Sequence, residues 1–438
     1  MDTVIKDSVN KKSNIFPMAI IGMLFFIFGF VTWLNGSLIP FLKIICDLND
    51  FQALFVTFAF YIAYFVMALP MSYVLKRTGY PNGMAIGLLI MAIGSLLFIP
   101  AALSASFIVF LIALFILGTG LTILQTASNP YVVLLGPNES AAMRISIMGL
   151  INKGAGVIVP IVFTALVLSD LGDTSEQALT ALGADELQEL SNRLIMPYLY
   201  MAVTAICLIG LVKFSHLPEI EPEESDNISE GKSGITQFPQ AILGALALFC
   251  YVGVEVIAGD TIGLFGADLG AKHFSTLTSY TMVFMVIGYL IGVTCIPKYL
   301  SQKNSLVGSG IAGILCIIGV MNSSIDSSSI AETFWGWSSI PSVPNPIFFV
   351  ALMGLAHALV WPSVWPLALK GLGKYTAQGS ALLIMGISGG AILPLVFGSI
   401  AESSSDMQSA YWVAIPCYIF ILFYAVKGHK MRSWSNKK

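Results

Sequence analysis

Ten of the residues with polar, charged or indole side chains inside the long apolar runs of the chain are the first candidates for chemistry. Four are amides: Asn35, Gln125, Asn129 and Asn152. An amide both donates and accepts hydrogen bonds, so it can serve a hydroxyl-rich ligand or bond to a neighbouring helix. Asn129 precedes Pro130 and could also satisfy the backbone groups that the proline leaves free. One residue is cationic, Lys153, and two are acidic, Glu255 and Asp260. A charge at bilayer depth is costly unless it faces protein or a water-filled cavity, which makes each a functional candidate. Lys153 could act as an internal counter-ion, as a donor to a ligand hydroxyl, or as a rival of a cation for an acid; snorkelling to the interface is the plainer use. Glu255 and Asp260 are five apart and off a common helix face. A shared ion site would need an unwound turn, which Gly253, Gly259 and Gly263 permit. The indoles are Trp33, Trp361 and Trp365; Trp361 and Trp365, four apart, share a helix face. They offer flat apolar surfaces to a ligand, or pack against helices and lipid, and their N–H groups need partners when buried. Asp268 reads as a solvated charge, and His357 as a hydrogen-bonded packing residue rather than a proton relay.

The elements that hold these residues follow from composition. Of 438 residues, 56% are hydrophobic and 10% charged, and the mean hydropathy is +0.85. A soluble protein is roughly 25% charged, so this composition indicates an all-α polytopic membrane protein. A helix needs about 20 apolar residues to cross the hydrocarbon core. Twelve runs qualify: Phe16–Phe41, Phe51–Leu75, Asn82–Ala102, Phe107–Leu135, Ile145–Leu168, Tyr198–Phe214, Pro239–Ile262, Leu277–Tyr299, Leu306–Met321, Ile347–Leu369, Ala377–Ile400 and Tyr411–Lys427. An even number puts both termini on one side. Seventeen of the 21 Lys and Arg fall on that side and three on the other, so the positive-inside rule makes both termini cytoplasmic.

The acidic, apolar-poor segment Pro218–Thr236 reads as a linker that divides the runs six and six. The expected layout is a tail over 1–15, a six-helix bundle over 16–214, a linker over 215–237, a second bundle over 238–427 and a tail over 428–438. Ser169–Asn192 and the Trp335/Trp337 segment Asn322–Asn345 are placed outside; the ADELQEL pattern in the former predicts a short amphipathic surface helix. The stretch Thr119–Pro160 has a counterpart at 354–394. Each has a mid-run proline (Pro130, Pro362), then a short charged or basic link (Asn138-Glu139 to Arg144 in the first), then a glycine and a proline four apart (Gly156/Pro160, Gly390/Pro394). One copy per half indicates a parallel duplication. The six scattered cysteines form no CxxC pair, so neither a disulfide framework nor a metal site is expected. A polar start and a long first apolar run argue against a cleavable signal peptide.

Four strings carry a resemblance: FFIFGFVTWLNGSLIP (Phe25–Pro40), AFYIAYFVMALP (Ala59–Pro70), LQTASNPYVVLLGPNE (Leu124–Glu139) and FCYVGVE (Phe249–Glu255). With twelve runs and two similar halves, the chain resembles the fucose–galactose–H⁺ symporter family of the major facilitator superfamily, on the branch of bacterial glucose/galactose transporters. The superfamily signature between the second and third helices is degenerate: Leu75-Lys76-Arg77-Thr78-Gly79 keeps the basic pair and lacks the usual Asp. The resemblance implies that helices 1, 4 and 5 line a central cavity. That places Asn35, Gln125, Asn129 and Asn152 at a substrate site, and the side-chain chemistry of Lys153, Trp33, Trp361 and Trp365 adds them to the expected set. Where the family carries its proton-coupling acids, this chain has Gly36 and Gln125, and neither titrates. Glu255 stands where the family's fucose branch has a Gln.

The expectation is a secondary active transporter, not an enzyme; there is no HExxH. It imports a neutral hexose (glucose or galactose, with N-acetylglucosamine a further option) by alternating access. The ion is Na⁺ rather than H⁺, or a different acid takes the proton. Na⁺ prefers oxygen ligands, and Glu255, Asp260, Ser37, Thr32 and Asn35 offer them. A passive uniporter and a non-transporting sugar sensor are the rival readings. The setting implied is the bacterial inner membrane, as a monomer, with the lipid bilayer and the sugar as partners, no nucleic acid and no cofactor.

Overall fold

In lipid every backbone N–H and C=O must pair within the protein, which leaves helices and closed barrels, and continuous apolar runs of this length fit helices. The computed structural model describes residues 2–135, 141–168, 176–215, 217, 234–271, 273–296 and 298–434. Among them are twelve helices long and apolar enough to cross a membrane. They are α1 (Phe16–Ile45), α2 (Asp50–Thr78), α3 (Tyr80–Ser104), α4 (Phe107–Val133), α5 (Met143–Val167), α6 (Ala184–Phe214), α7 (Pro239–Asp268), α8 (Phe274–Cys295), α9 (Gln302–Asn322), α10 (Asn345–Leu369), α11 (Gln378–Ser404) and α12 (Met407–Lys430). Each coincides with one of the twelve expected runs. The ADELQEL stretch forms the helix Ala184–Asn192 at the start of α6. Its Glu186 carboxylate accepts from the Gly183 N–H at 2.9 Å, a cap on the free end. Most of the acidic linker (218–233), residues 169–175 of the first polar segment and the Asn138-Glu139 link lie outside the described residues.

Within the first six helices α1 packs on α5, α2 and α3 on α4, and α3 on α6. Within the last six, α7 packs on α10, α11 and α12, α8 and α9 on α10, and α9 on α12. The two sets meet where α5 crosses α8, α2 crosses α11 and α1 crosses α7. Helices in lipid gain no hydrophobic drive from association, so glycines that let backbones approach matter more than apolar bulk. A Cβ at Gly389 of α11 would lie 1.8 Å from the Phe249 carbonyl oxygen of α7. Gly389→Ala must therefore push α11 off α7, at a cost of about 1–3 kcal/mol. A lower unfolding temperature of the purified protein is the expected outcome; an unchanged one would mean that α11 is free to shift.

Three breaks shape the middle of the bundle. α10 is interrupted between His357 and Val360, because Pro362 has no N–H for the carbonyl of Ala358. α11 tightens to a 3-10 turn over Gly386–Ser388. α7 breaks at Thr261, after Asp260, so Glu255 and Asp260 share one unbroken helix, Pro239–Asp260. The expected unwound turn thus falls after the two acids, not between them.

Candidate functional site

A cavity lies where the two sets of helices meet. α1 contributes Phe25, Phe28, Thr32 and Trp33 to its wall, and α2 adds Tyr61 and Tyr64. Gln125 and Asn129 face it from α4, and Asn152 and Lys153 from α5. The other half closes it with Tyr251 and Glu255 of α7, Tyr289 of α8 and Trp361 of α10. Two further hollows in the molecule are lined almost wholly by apolar side chains, so they offer a hydroxyl-rich ligand little to bond to.

An ion pair crosses the centre. Lys153 Nζ is 2.9 Å from Glu255 Oε1, and each side chain is 8% exposed. The ammonium also sits 4.0 Å above the ring of Trp33, a favourable cation–π position. The Tyr251 hydroxyl donates to the same carboxylate oxygen at 2.7 Å, one helical turn before it. Lys153 is near the middle of α5 and buried against an acid, so it does not snorkel to an interface. Of its possible uses, counter-ion is the one the geometry shows.

The amides differ in how far they are already committed. Asn152 accepts from Trp33 Nε1 at 3.2 Å and donates to the Phe25 carbonyl at 3.3 Å. Gln125 donates through Nε2 to the Tyr64 hydroxyl at 2.9 Å, which leaves its second N–H and its carbonyl oxygen for a ligand. Asn129 has a buried Nδ2 with no partner among the described residues, and that nitrogen makes no bond to the backbone around Pro130. An unpaired buried donor is costly, and a ligand hydroxyl in the cavity would relieve it.

Several expected site residues lie elsewhere. Asn35 is 1% exposed and off the cavity wall; its Nδ2 has no partner among the described residues. Trp365 is also 1% exposed and packs beneath Trp361, ring centroids 5.6 Å apart, so the shared helix face does not reach the cavity with both indoles. Asp260 is fully buried and does not line the cavity. Ser37 spends its hydroxyl on the Ser275 carbonyl at 2.7 Å, while Thr32 does reach the wall. His357 bonds the Tyr418 hydroxyl at 2.7 Å, the packing role expected of it, and Asp268 is exposed.

Gly36 marks the α1–α7 contact. A Cβ there would be 2.2 Å from Thr278 Oγ1 and 3.0 Å from the Gly259 carbonyl oxygen, which leaves no room for an acid. The tyrosines are what sequence reasoning missed. Tyr251 was legible, since it sits four residues before Glu255 on one helix face. Tyr61, Tyr64 and Tyr289 carry no such signal; an aromatic in an apolar run reads as packing. No group of three or more potential metal ligands occurs among the described residues.

Comparison with known proteins agrees with this architecture. The family model described as Major Facilitator Superfamily matches residues 21–394. A glucose/galactose transporter of Brucella abortus biovar 1 (strain 9-941) is 32% identical over 430 residues, covering 97% of each chain. The L-fucose-proton symporter of Escherichia coli (strain K12) is 27% identical over 436 residues, covering 96% of this chain and 94% of its own. The crystal structure of the E. coli fucose:proton symporter superposes with a TM-score of 0.72 at 24% identity, over 97% of this chain and 100% of that one. At that identity the superposition speaks for the fold alone. Twelve membrane-length helices, the matching fold and relatives of near-equal length together make the chain a multi-pass integral membrane protein that belongs to the Major Facilitator Superfamily.

Proposed function

We propose that the protein imports a neutral hexose, glucose or galactose, driven by a cation gradient. The observation that carries this reading is the cavity where the halves meet. It presents amides and phenols for sugar hydroxyls, and indole faces for the C–H side of a sugar ring, around a buried Lys153–Glu255 pair. The relatives named as glucose/galactose transporter and fucose–proton symporter support the substrate class. The halves rock about the cavity to expose it alternately. The protein sits as a monomer in the bacterial inner membrane, with both termini cytoplasmic, as the Lys and Arg distribution favours.

Coupling runs through the acids of α7, Glu255 and Asp260, with Na⁺ the favoured ion. Gly36 and Gln125, at the family's proton positions, cannot titrate, and the packing around Gly36 excludes an acid there. A passive uniporter has no use for two buried acids, which are costly to keep in a membrane.

The test is glucose and galactose binding to the purified chain, followed by quenching of Trp33 and Trp361, which line the cavity. Gln125→Ala removes a neutral hydrogen bond worth about 1 kcal/mol, or roughly five-fold in Kd. Asn129→Ala removes a further donor, with a similar expected loss. Parent-like affinity in both variants would place the sugar elsewhere.

A further inference from the structure

Asp260 is 0% exposed, and neither carboxylate oxygen has a hydrogen-bond partner among the described residues. A buried ionised carboxylate left unpaired costs several kcal/mol, so it needs positive charge beside it. Lys153, the cation that acts on it, is committed elsewhere, 2.9 Å from Glu255. Three charged groups feel one another here: Asp260 and Glu255 on α7, and Lys153 on α5. Two carboxylates against one ammonium leave a net charge of −1 in a buried cluster. One monovalent cation neutralises it, and a divalent ion would overshoot.

The surroundings suit a cation. Asp260 follows Val256 by one turn on the same face of α7. That face meets α2 and α11: a Cβ on Gly390 would touch Tyr61 Cγ and Val256 Cγ2, both at 2.9 Å. The Tyr61 hydroxyl is buried without a partner among the described residues, within electrostatic reach of both Asp260 and Glu255, while Tyr61 itself lines the sugar cavity. Thr261, Thr278 and Thr281 donate their hydroxyl protons to the carbonyls of Ile257, Gly259 and Ala258, at 2.6, 2.7 and 2.9 Å. Those protons are unavailable to Asp260.

We propose that Asp260 binds a single monovalent cation, Na⁺ or a proton, behind the sugar cavity, and that Tyr61 links the two sites. Transport then moves one cation per sugar. This rests on the reading of the protein as a cation-coupled hexose importer. Tyr61 touches the sugar space with its ring and the cation with its hydroxyl, so each ligand raises the other's affinity by the same factor.

The test measures cation binding to the full chain with no sugar present. Radiolabelled Na⁺ is titrated by scintillation proximity. In a separate Na⁺-free, weakly buffered sample, proton uptake is followed across a pH step. The expected result is one Na⁺ per chain, lost in Asp260→Asn. If the parent binds no Na⁺, the expected result is one proton fewer taken up per chain by Asp260→Asn, which identifies the cation as H⁺. Parent-like Na⁺ binding by that variant, or neither signal in the parent, overturns the proposal. So does a reversal potential indicating zero or two charges per sugar.

Should Asp260→Asn fail to fold, Asp260→Glu and Tyr61→Phe serve instead, each with an expected ten-fold or greater loss of cation affinity. Parent-like affinity in both is the contrary result. A parent that binds the cation and takes up no hexose contradicts the substrate reading and leaves the cation site standing.

Discussion

Lys153→Met is expected to abolish sugar accumulation and to destabilise the protein by about 3–5 kcal/mol. The cause is the charge left behind. Glu255 has two partners, the Lys153 ammonium at 2.9 Å and the Tyr251 hydroxyl at 2.7 Å, and only the first is positive. A neutral hydroxyl does not balance a buried carboxylate. Glu255→Gln fails for the mirror reason, leaving an ammonium over the Trp33 ring that a cation–π contact of about 2 kcal/mol only partly steadies. Lys153→Met/Glu255→Gln should regain much of the lost stability, since replacing both members of a buried pair is often near neutral. Transport should not return with it. A thiol-reactive dye that reports exposure of the buried Cys316 and Cys417 on heating gives the stability readout. A double variant no more stable than either single one would mean that the pair is not coupled as the structure shows.

Trp33→Ala carries the next largest effect, about 3–5 kcal/mol for emptying a buried indole site. The residue is 1% exposed and joins three parts of the molecule. Its Nε1 donates to Asn152 on α5, its face lies under Lys153, and its edge fills the gap left by Gly156 and Gly259. Gly259 is on α7, so the indole ties the two halves together at the cavity. Trp33→Phe keeps an aromatic face for Lys153 but loses the bond to Asn152. It should fall between parent and Trp33→Ala in unfolding temperature and weaken sugar binding through a loosened Asn152. Equal stability of Trp33→Ala and parent would show that α1 and α7 are not packed through this side chain.

How much of this was legible in the sequence depends on what carries the information. The twelve helices were, because a run of about 20 apolar residues has one structural solution in lipid. Lys153 and Glu255 stood out because a charge at that depth is rare. That the two are partners was not legible, since α5 and α7 are brought together only by the packing of the halves. Helix phase limited the rest. Trp361 and Trp365 share a face, yet the break at Pro362 sets where that face points, and only Trp361 reaches the cavity. Asn35 was expected at the sugar, and close packing at Gly36 instead keeps that turn of α1 against α7 and α8. Tyr61, Tyr64 and Tyr289 were hidden because a phenol in an apolar run has the same pattern as any core aromatic.

The most direct test of the account is uptake of labelled glucose into proteoliposomes under an imposed inward Na⁺ gradient, beside the same experiment under an imposed pH gradient. The account predicts accumulation above the equilibrium level with the Na⁺ gradient, and its loss in Lys153→Met. Accumulation under the pH gradient alone would move the coupling to a proton on the same acids of α7. Equilibration with neither gradient having an effect would contradict coupled import and leave a passive carrier.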